Sequence, residues 1–127
     1  IKIIIKKLNQ NNIRTSLFIN PNMEDIKLSK LLGSNCVELH TGKISNLIKK
    51  KKNFKYEFAK IKNCTNYAKS LNLEVHAGHG IDYKTANYLS RIKDIVEFNI
   101  GHFIIGESIN DGLYKVINKF KKIINKK

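Results

Sequence analysis

Four short runs of β-prone residues alternate along the chain with segments of helical periodicity, and this alternation constrains the fold more than any other feature. The four runs are Thr15–Ile19, Cys36–His40, Leu73–Ala77 and Ile95–Ile100. Strands that alternate with helices predict a parallel sheet with the helices packed outside it. We therefore predict an α/β fold of four consecutive β-α units, preceded by the tail of a helix at the N-terminus.

The segments between the predicted strands carry helix signals of their own. Asn22 is a plausible N-cap because Glu24 and Asp25 follow it in the first turn, and Gly33 is expected to end that helix. Apolar residues recur at helical spacing in the remaining segments. These predicted helices cover residues 54–71, 83–92 and 109–124, the last with one apolar stripe that begins at Ile109 and Leu113.

Two architectures fit this order of elements, an open doubly wound sheet and a (β/α)8 TIM barrel. No Gly-x-Gly-x-x-Gly fingerprint follows a predicted strand, which argues against dinucleotide binding in an open sheet. Polar residues cluster at strand C-terminal ends, where barrel enzymes carry their chemistry. These residues are Glu38, His40, Thr41, His79 and His102. We therefore favour a barrel, of which this chain holds the last four β-α units, with Phe103–Ser108 as a short extra helix.

The length of 127 residues suits one domain or a piece of a larger one. The chain begins at Ile1 without an initiator Met, and its opening resembles the end of a helix more than the start of a domain. We therefore expect residues 1–127 to be a fragment, the C-terminal half of a single TIM-barrel domain.

The formal net charge is +14, yet its make-up argues against a nucleic-acid partner. Of the 24 basic residues only Arg14 and Arg91 are arginines, whose bidentate guanidinium groups dominate phosphate and base recognition. The abundance of Lys, Ile and Asn indicates compositional drift in an AT-rich genome instead. The run Lys49–Lys52 is interpreted as a solvated turn.

Hydropathy and cysteine usage point to a cytoplasmic protein without a membrane span. No apolar stretch approaches the roughly 20 residues needed to cross a bilayer, and no secretory signal is recognisable. Cys36 and Cys64 lack the spacing of metal ligands. We expect both thiols to be reduced, buried and inert, and we expect no metal site.

Two Gly-His steps follow consecutive predicted strands. His79 lies between Gly78 and Gly80, and His102 follows Gly101. Glycine lets the main chain approach an anion closely, and the neighbouring imidazole can transfer protons. We therefore predict one site with phosphate-binding and acid-base groups, although each histidine could also be a structural residue bonded to a backbone carbonyl.

Glu38 lies in the middle of an apolar predicted strand and shares its face with His40, because alternate residues of a strand point to the same side. A carboxylate there is costly unless it is paired or functional. Two interpretations therefore stay open for Glu38, a role in the site and membership of a structural ion pair. His76, whose parity is opposite to that of His79, is interpreted as structural, and the simplest interpretation of Thr41 is a plain helix cap.

Four segments together resemble the C-terminal half of the pyridoxine 5′-phosphate synthase family in order and approximate spacing: Ser16–Ile19, Val37–Gly42, Ala77–Gly80 and Asn99–His102, followed by Ile104–Gly106. The resemblance extends across nearly the whole chain. It implies a (β/α)8 barrel that condenses 1-deoxy-D-xylulose 5-phosphate with 3-amino-2-oxopropyl phosphate to give pyridoxine 5′-phosphate, inorganic phosphate and water. It also implies that no metal or organic cofactor is needed and that the protein is a homo-oligomer, typically an octamer.

The resemblance carries roles over residue by residue. It implies that His79 is the proton donor and that Glu38 stabilises a transition state. Gly80, Gly101 and His102 match backbone and side-chain contacts to substrate or product. These roles suit the chemistry, since Schiff-base formation, dehydration and ring closure all move protons and pass through cations that a carboxylate stabilises.

The chain departs from the family at His76, where Asn is usual, and at Asn20, where Asp is usual. The family's first half supplies a further catalytic histidine and glutamate, which lie outside this sequence. Two other interpretations stay open. The chain could belong to another phosphosugar-handling barrel enzyme, or to a basic non-enzymatic fragment that binds RNA or a partner protein with strong salt dependence.

Overall fold

The computed structural model describes residues 1–125 and contains one four-stranded parallel sheet and seven helices within them. The strands are β1 (Ser16–Ile19), β2 (Cys36–His40), β3 (Glu74–Gly78) and β4 (Ile95–Asn99). The helices are α1 (Lys2–Gln10), α2 (Met23–Leu32), α3 (Gly42–Lys49), α4 (Lys55–Ser70), α5 (Tyr83–Leu89), α6 (His102–Asp111) and α7 (Leu113–Ile124). The predicted α/β class and its four β-α units are confirmed.

The strands lie in the order β1-β2-β3-β4, so each strand is bonded to its neighbour in the sequence. One face of the sheet forms the core with the helices, because alternate residues of the central strands are fully buried there. These residues are Val37, Leu39, Val75 and Ala77. On the other face, register places Phe18 beside Glu38, Glu38 beside His76, and His76 beside Glu97.

The local helix signals are confirmed for α2. The Asn22 side chain accepts a hydrogen bond of 2.7 Å from the backbone N–H of Asp25, as an N-cap should. The helix ends at Gly33, as predicted. All four predicted strands are also found, with bounds that differ from the prediction by one residue at most.

The structure corrects the helix prediction in two places. Helix α3 was not predicted, and Lys49, assigned to a solvated turn, is its last residue. The apolar stripe from Ile109 is not one helix, because Gly112 at φ 78° separates α6 from α7. Ile109 and Leu113 are 82% and 55% exposed, so the first two residues of the predicted stripe are not buried.

The remaining physical expectations concern the membrane and the cysteines. Within residues 1–125 no helix is both long and apolar enough to cross a bilayer. Cys36 and Cys64 are free and buried, as predicted. Burial raises the pKa of the Cys64 thiol, which suits an inert residue. Cys36 also accepts a hydrogen bond of 2.9 Å from the Arg14 guanidinium.

Candidate functional site

A cavity of about 620 Å³ opens at the C-terminal edge of the sheet. All five residues predicted for the site line it: Glu38, His79, Gly80, Gly101 and His102. The parallel arrangement explains this, since the carboxyl ends of all four strands meet at one edge. The cavity also contacts residues that were given no role from the sequence, among them Phe18, Lys49, Asn99 and Glu107.

His79 follows the last residue of β3 and has an unusual backbone. Its φ is 76°, in the left-handed region that residues with a Cβ rarely adopt. The imidazole is exposed and stacks on His40, with ring centroids 4.5 Å apart and an interplanar angle of 23°. The His40 ring in turn lies 5.3 Å from that of Phe18. The His79 ring therefore has a defined support while one of its faces stays available to the cavity.

The turn after β2 is packed against the turn after β3. Thr41 is fully buried, and its hydroxyl lies 2.8 Å from the carbonyl oxygens of both Gly78 and His79. A Cβ on Gly42 would lie 2.7 Å from His40 Cε1 and 2.8 Å from His79 Cδ2, so both rings rest against bare backbone. Thr41 occupies the N-cap position of α3, as the interpretation of a helix cap requires, but its side chain makes no capping hydrogen bond to this helix.

Glu38 is held by a hydrogen bond and not by an ion pair. Asn99 at the end of β4 donates from Nδ2 to Glu38 Oε2 over 2.7 Å. The other carboxylate oxygen lies against Gly78, where a Cβ would overlap with it. Among residues 1–125 no cation pairs with Glu38, which removes the structural ion pair as an explanation of this half-buried acid.

The start of α6 forms another wall of the cavity. Gly101 caps this helix and His102 is its first residue, so the first backbone amides of α6 point outward without intrahelical acceptors. A Cβ on Gly101 would meet no atom within 4 Å among the described residues beyond its chain neighbours, so open space surrounds the glycine that begins the helix. Amides at a helix start are suited to bind a phosphate, and the Lys49 ammonium lines the same cavity.

A second polar cluster lies on the same face of the sheet but towards the N-terminal ends of the strands. Cys36, Glu74 and His76 place potential metal-ligand atoms within 4.8 Å of one another. Arg14 already occupies this cluster, since its guanidinium lies 2.7 Å from Glu74 Oε1 and bonds Cys36. The hydrogen bond with His76, at 2.9 Å, and then Arg14 lower the pKa of the Glu74 carboxyl.

Buried His76 also lies 3.5 Å from a carboxylate oxygen of Glu97. It does not line the cavity. Its neighbours therefore agree with the structural interpretation.

Sequence reasoning missed three polar residues of the cavity, Asn99, Lys49 and Glu107. Asn99 belongs to the Asn-Ile-Gly-His motif, but its bond to Glu38 joins residues 61 positions apart and has no local signature. Lys49 was hidden in a run of four lysines, which looks like solvated surface.

Comparisons with known proteins agree with the motifs. A family model described as "Pyridoxal phosphate biosynthesis protein PdxJ" matches residues 1–126. A pyridoxine 5′-phosphate synthase of Pelagibacter ubique is 62% identical over 126 residues, which are 99% of this chain and 53% of the relative. The corresponding proteins of Sulfurihydrogenibium sp. and Zymomonas mobilis are 41% and 39% identical over 98% of this chain, and 50% and 48% of their own lengths. The chain thus spans about half the length of the curated relatives it matches.

Proposed function

Because the chain belongs to the PdxJ family of pyridoxal phosphate biosynthesis proteins, we propose that residues 1–127 form the C-terminal half of the (β/α)8 barrel of a pyridoxine 5′-phosphate synthase. The observation that carries the proposal is the single cavity into which His79, Glu38 and the start of α6 all open. Four parallel strands with helices on one face are half of such a barrel, and 62% identity to a synthase over nearly the whole chain supports the same activity.

The proposed reaction condenses 1-deoxy-D-xylulose 5-phosphate with 3-amino-2-oxopropyl phosphate and releases phosphate and water. Loss of water and of phosphate requires protons to reach departing oxygens. His79 is proposed as the proton donor, since its exposed ring lies at the cavity and is supported from one side by His40. Residues 1–125 hold the second acid of the site, Glu38, but the other acid-base groups of the reaction are expected in the remainder of the barrel.

Glu38 is proposed to stabilise the cationic intermediates that precede ring closure. A carboxylate acts in this way when it is preorganised and free of a counter-ion. The bond from Asn99 and the contact with Gly78 fix its position, while no cation of the described residues neutralises it. Asn99 is thereby assigned to the site as the residue that orients Glu38.

A phosphate group is proposed to bind between the start of α6 and the turn at Gly80. The unpaired amides after Gly101 supply donors, and His102 adds an imidazole at the same point. Lys49 adds positive charge to the wall of the cavity. These groups suit small phosphorylated substrates and need no metal ion to bind them.

Three further expectations belong to the proposal, the first two from the family resemblance and the third from composition and hydropathy. The complete protein is expected to act without a metal or organic cofactor. It is expected to assemble as a homo-oligomer, an octamer in the family, and to function in the cytoplasm without a nucleic-acid or membrane partner.

A chimera tests the proposal. Residues 1–126 of this chain replace the matching half of the Pelagibacter ubique relative, to which they are 62% identical. We expect this protein, called the chimera below, to form pyridoxine 5′-phosphate from the two substrates at a rate within about tenfold of the unaltered relative, the activation free-energy equivalent of roughly 1.4 kcal/mol.

The unaltered relative and the chimera with His79→Asn are the controls. A chimera that folds and assembles like the relative but makes no more product than the His79→Asn control would overturn the proposed function. Salt-dependent RNA binding by such an inactive chimera would favour the non-enzymatic alternative.

A further inference from the structure

We propose that Thr41 is a positioning residue, whose hydroxyl fixes the left-handed backbone of His79 and thereby places the imidazole in the cavity. The inference rests on the proposed role of His79 as proton donor. It gives a function to the segment His40-Thr41-Gly42, to which neither the motif nor the comparisons assign one.

The Thr41 hydroxyl connects the end of β2 to the end of β3. The residue is fully buried at the end of β2, and its Oγ1 lies 2.8 Å from the carbonyl oxygens of Gly78 and His79. The Thr41 backbone N–H also donates to the Gly78 carbonyl over 2.8 Å. Thr41, the residue after β2, thus contacts the carbonyls of the last residue of β3 and of the residue that follows it, 37 and 38 positions away in the sequence.

These two carbonyls determine the conformation of His79. The Gly78 carbonyl belongs to the peptide plane before the His79 Cα, and the His79 carbonyl belongs to the plane after it. The rotation of these planes about the Cα defines φ and ψ of His79, since the peptide units themselves are planar. The Thr41 N–H donates to the Gly78 oxygen, and the one proton of the Thr41 hydroxyl can be donated to the His79 oxygen, so the two groups together restrain both angles.

His79 requires such a restraint. Its φ of 76° is unfavourable for a residue with a Cβ, and the next residue, Gly80, has a φ of 75°. The side chain is exposed, so core packing does not hold it in place. Outliers of this kind persist when the surroundings determine them and are concentrated at functional sites.

The residues on either side of Thr41 complete the arrangement. His40 provides the ring on which the His79 imidazole stacks, 4.5 Å away, and Gly42 leaves the space that both rings occupy. Helix capping does not explain Thr41, because its side chain makes no capping bond to α3. Three consecutive residues therefore support the His79 imidazole: His40 stacks on the ring, Thr41 restrains the backbone of His79, and Gly42 leaves room for both rings.

Two substitutions in the chimera separate the hydroxyl from the rest of the side chain. Thr41→Val removes the hydroxyl at nearly the same volume, and Thr41→Ser keeps it. We expect Thr41→Val to lower kcat about ten- to a hundredfold, with KM for both substrates changed less than about threefold, because a misplaced catalytic group loses rate and not substrate affinity. Thr41→Ser should retain kcat within about threefold.

A second measurement does not depend on activity. Four histidines of the chimera come from this chain, and single substitutions to Asn identify their imidazole resonances among all those of the protein with labelled histidine. We expect Thr41→Val to shift the resonances of His79 and His40 and to leave that of His76 unchanged. This result is expected even of a chimera that makes no pyridoxine 5′-phosphate. The measurement therefore distinguishes a failure of the proposed function from a failure of the proposal that Thr41 positions His79.

Should Thr41→Val not fold, Thr41→Ala takes its place, because it removes the hydroxyl without pressing a methyl group against two carbonyl oxygens. Parental kcat together with an unshifted His79 resonance in the hydroxyl-free variant would overturn the proposal. A loss of kcat in Thr41→Ser as large as that in Thr41→Val would also overturn it, since the hydroxyl that serine retains would then not be sufficient to place His79.

Discussion

The left-handed backbone of His79 predicts that glycine is more stabilising than alanine at this position. Both His79→Gly and His79→Ala lack the imidazole ring, and only His79→Ala keeps the Cβ. A left-handed conformation costs a residue with a Cβ about 1–2 kcal/mol, whereas the greater freedom of glycine in the unfolded chain costs roughly 0.5–1 kcal/mol. With φ at 76°, we therefore expect His79→Gly to be more stable than His79→Ala by about 0.5–1 kcal/mol.

Thermal unfolding of the two variants in the chimera measures this difference. For a protein of this size the expected advantage corresponds to a Tm higher by about 1–4 °C for His79→Gly. The matched control is the pair Asn87→Gly and Asn87→Ala at an exposed position of α5, where glycine should be the less stable by about 1 kcal/mol. If glycine is the less stable residue at both positions, His79 is not strained and the reasoning is refuted.

Four further results are expected. His79→Asn should lower turnover of the chimera about 10²–10⁴-fold with folding retained, since Asn tolerates a positive φ but replaces the proton donor, and near-parental turnover would exclude His79 from the mechanism. Glu38→Gln should reduce turnover more than it reduces affinity for inorganic phosphate, because the amide oxygen can still accept the hydrogen bond from Asn99 but the side chain carries no charge. If this variant instead loses its fold, and a second substitution that gives position 38 a new partner restores the fold, Glu38 is a structural residue. Gly78→Ala should lower turnover at least about tenfold by displacing the Glu38 carboxylate, and parental kinetics would contradict the close contact. The 127 residues alone should self-associate in sedimentation experiments, because within residues 1–125 the outer edges of β1 and β4 have no strand partner and Phe18 is 55% exposed. A compact monomer that makes product would refute the half-barrel.

Local chemistry explains why much of the fold was predictable. The four strands are runs of β-branched and apolar residues, and their partners are the next strands in the sequence, so no long-range choice of order was involved. Asn22 caps α2 through a bond to a residue three positions away. The five residues predicted for the site line one cavity for the same reason, since parallel strands bring their C-terminal ends to one edge of the sheet.

The errors arose at residues for which the local sequence pattern and the tertiary structure favour different roles. Apolar spacing from Ile109 onward continues through Gly112, and only the positive φ at that glycine separates α6 from α7 and turns Ile109 to solvent. Thr41 precedes a helix and is a residue type common at N-caps, but its hydroxyl contacts the carbonyl oxygens of Gly78 and His79 instead. Propensity rules describe the effect of residues that are close in the sequence and do not include residues that are close only in the folded structure.

The sequence by itself determined the alternation of strands and helices, the edge at which the proposed site lies and the residue types that line it, because these depend on periodicity and on contacts between adjacent elements. The tertiary structure alone decided how the site is held: Asn99 orients Glu38 across the sheet, His40 supports His79, and Thr41 binds the turn on which His79 lies. These contacts join residues between 37 and 61 positions apart. They form only when strand register brings hydrogen-bonding groups within about 3 Å of one another, a geometric condition that no local pattern in the chain encodes.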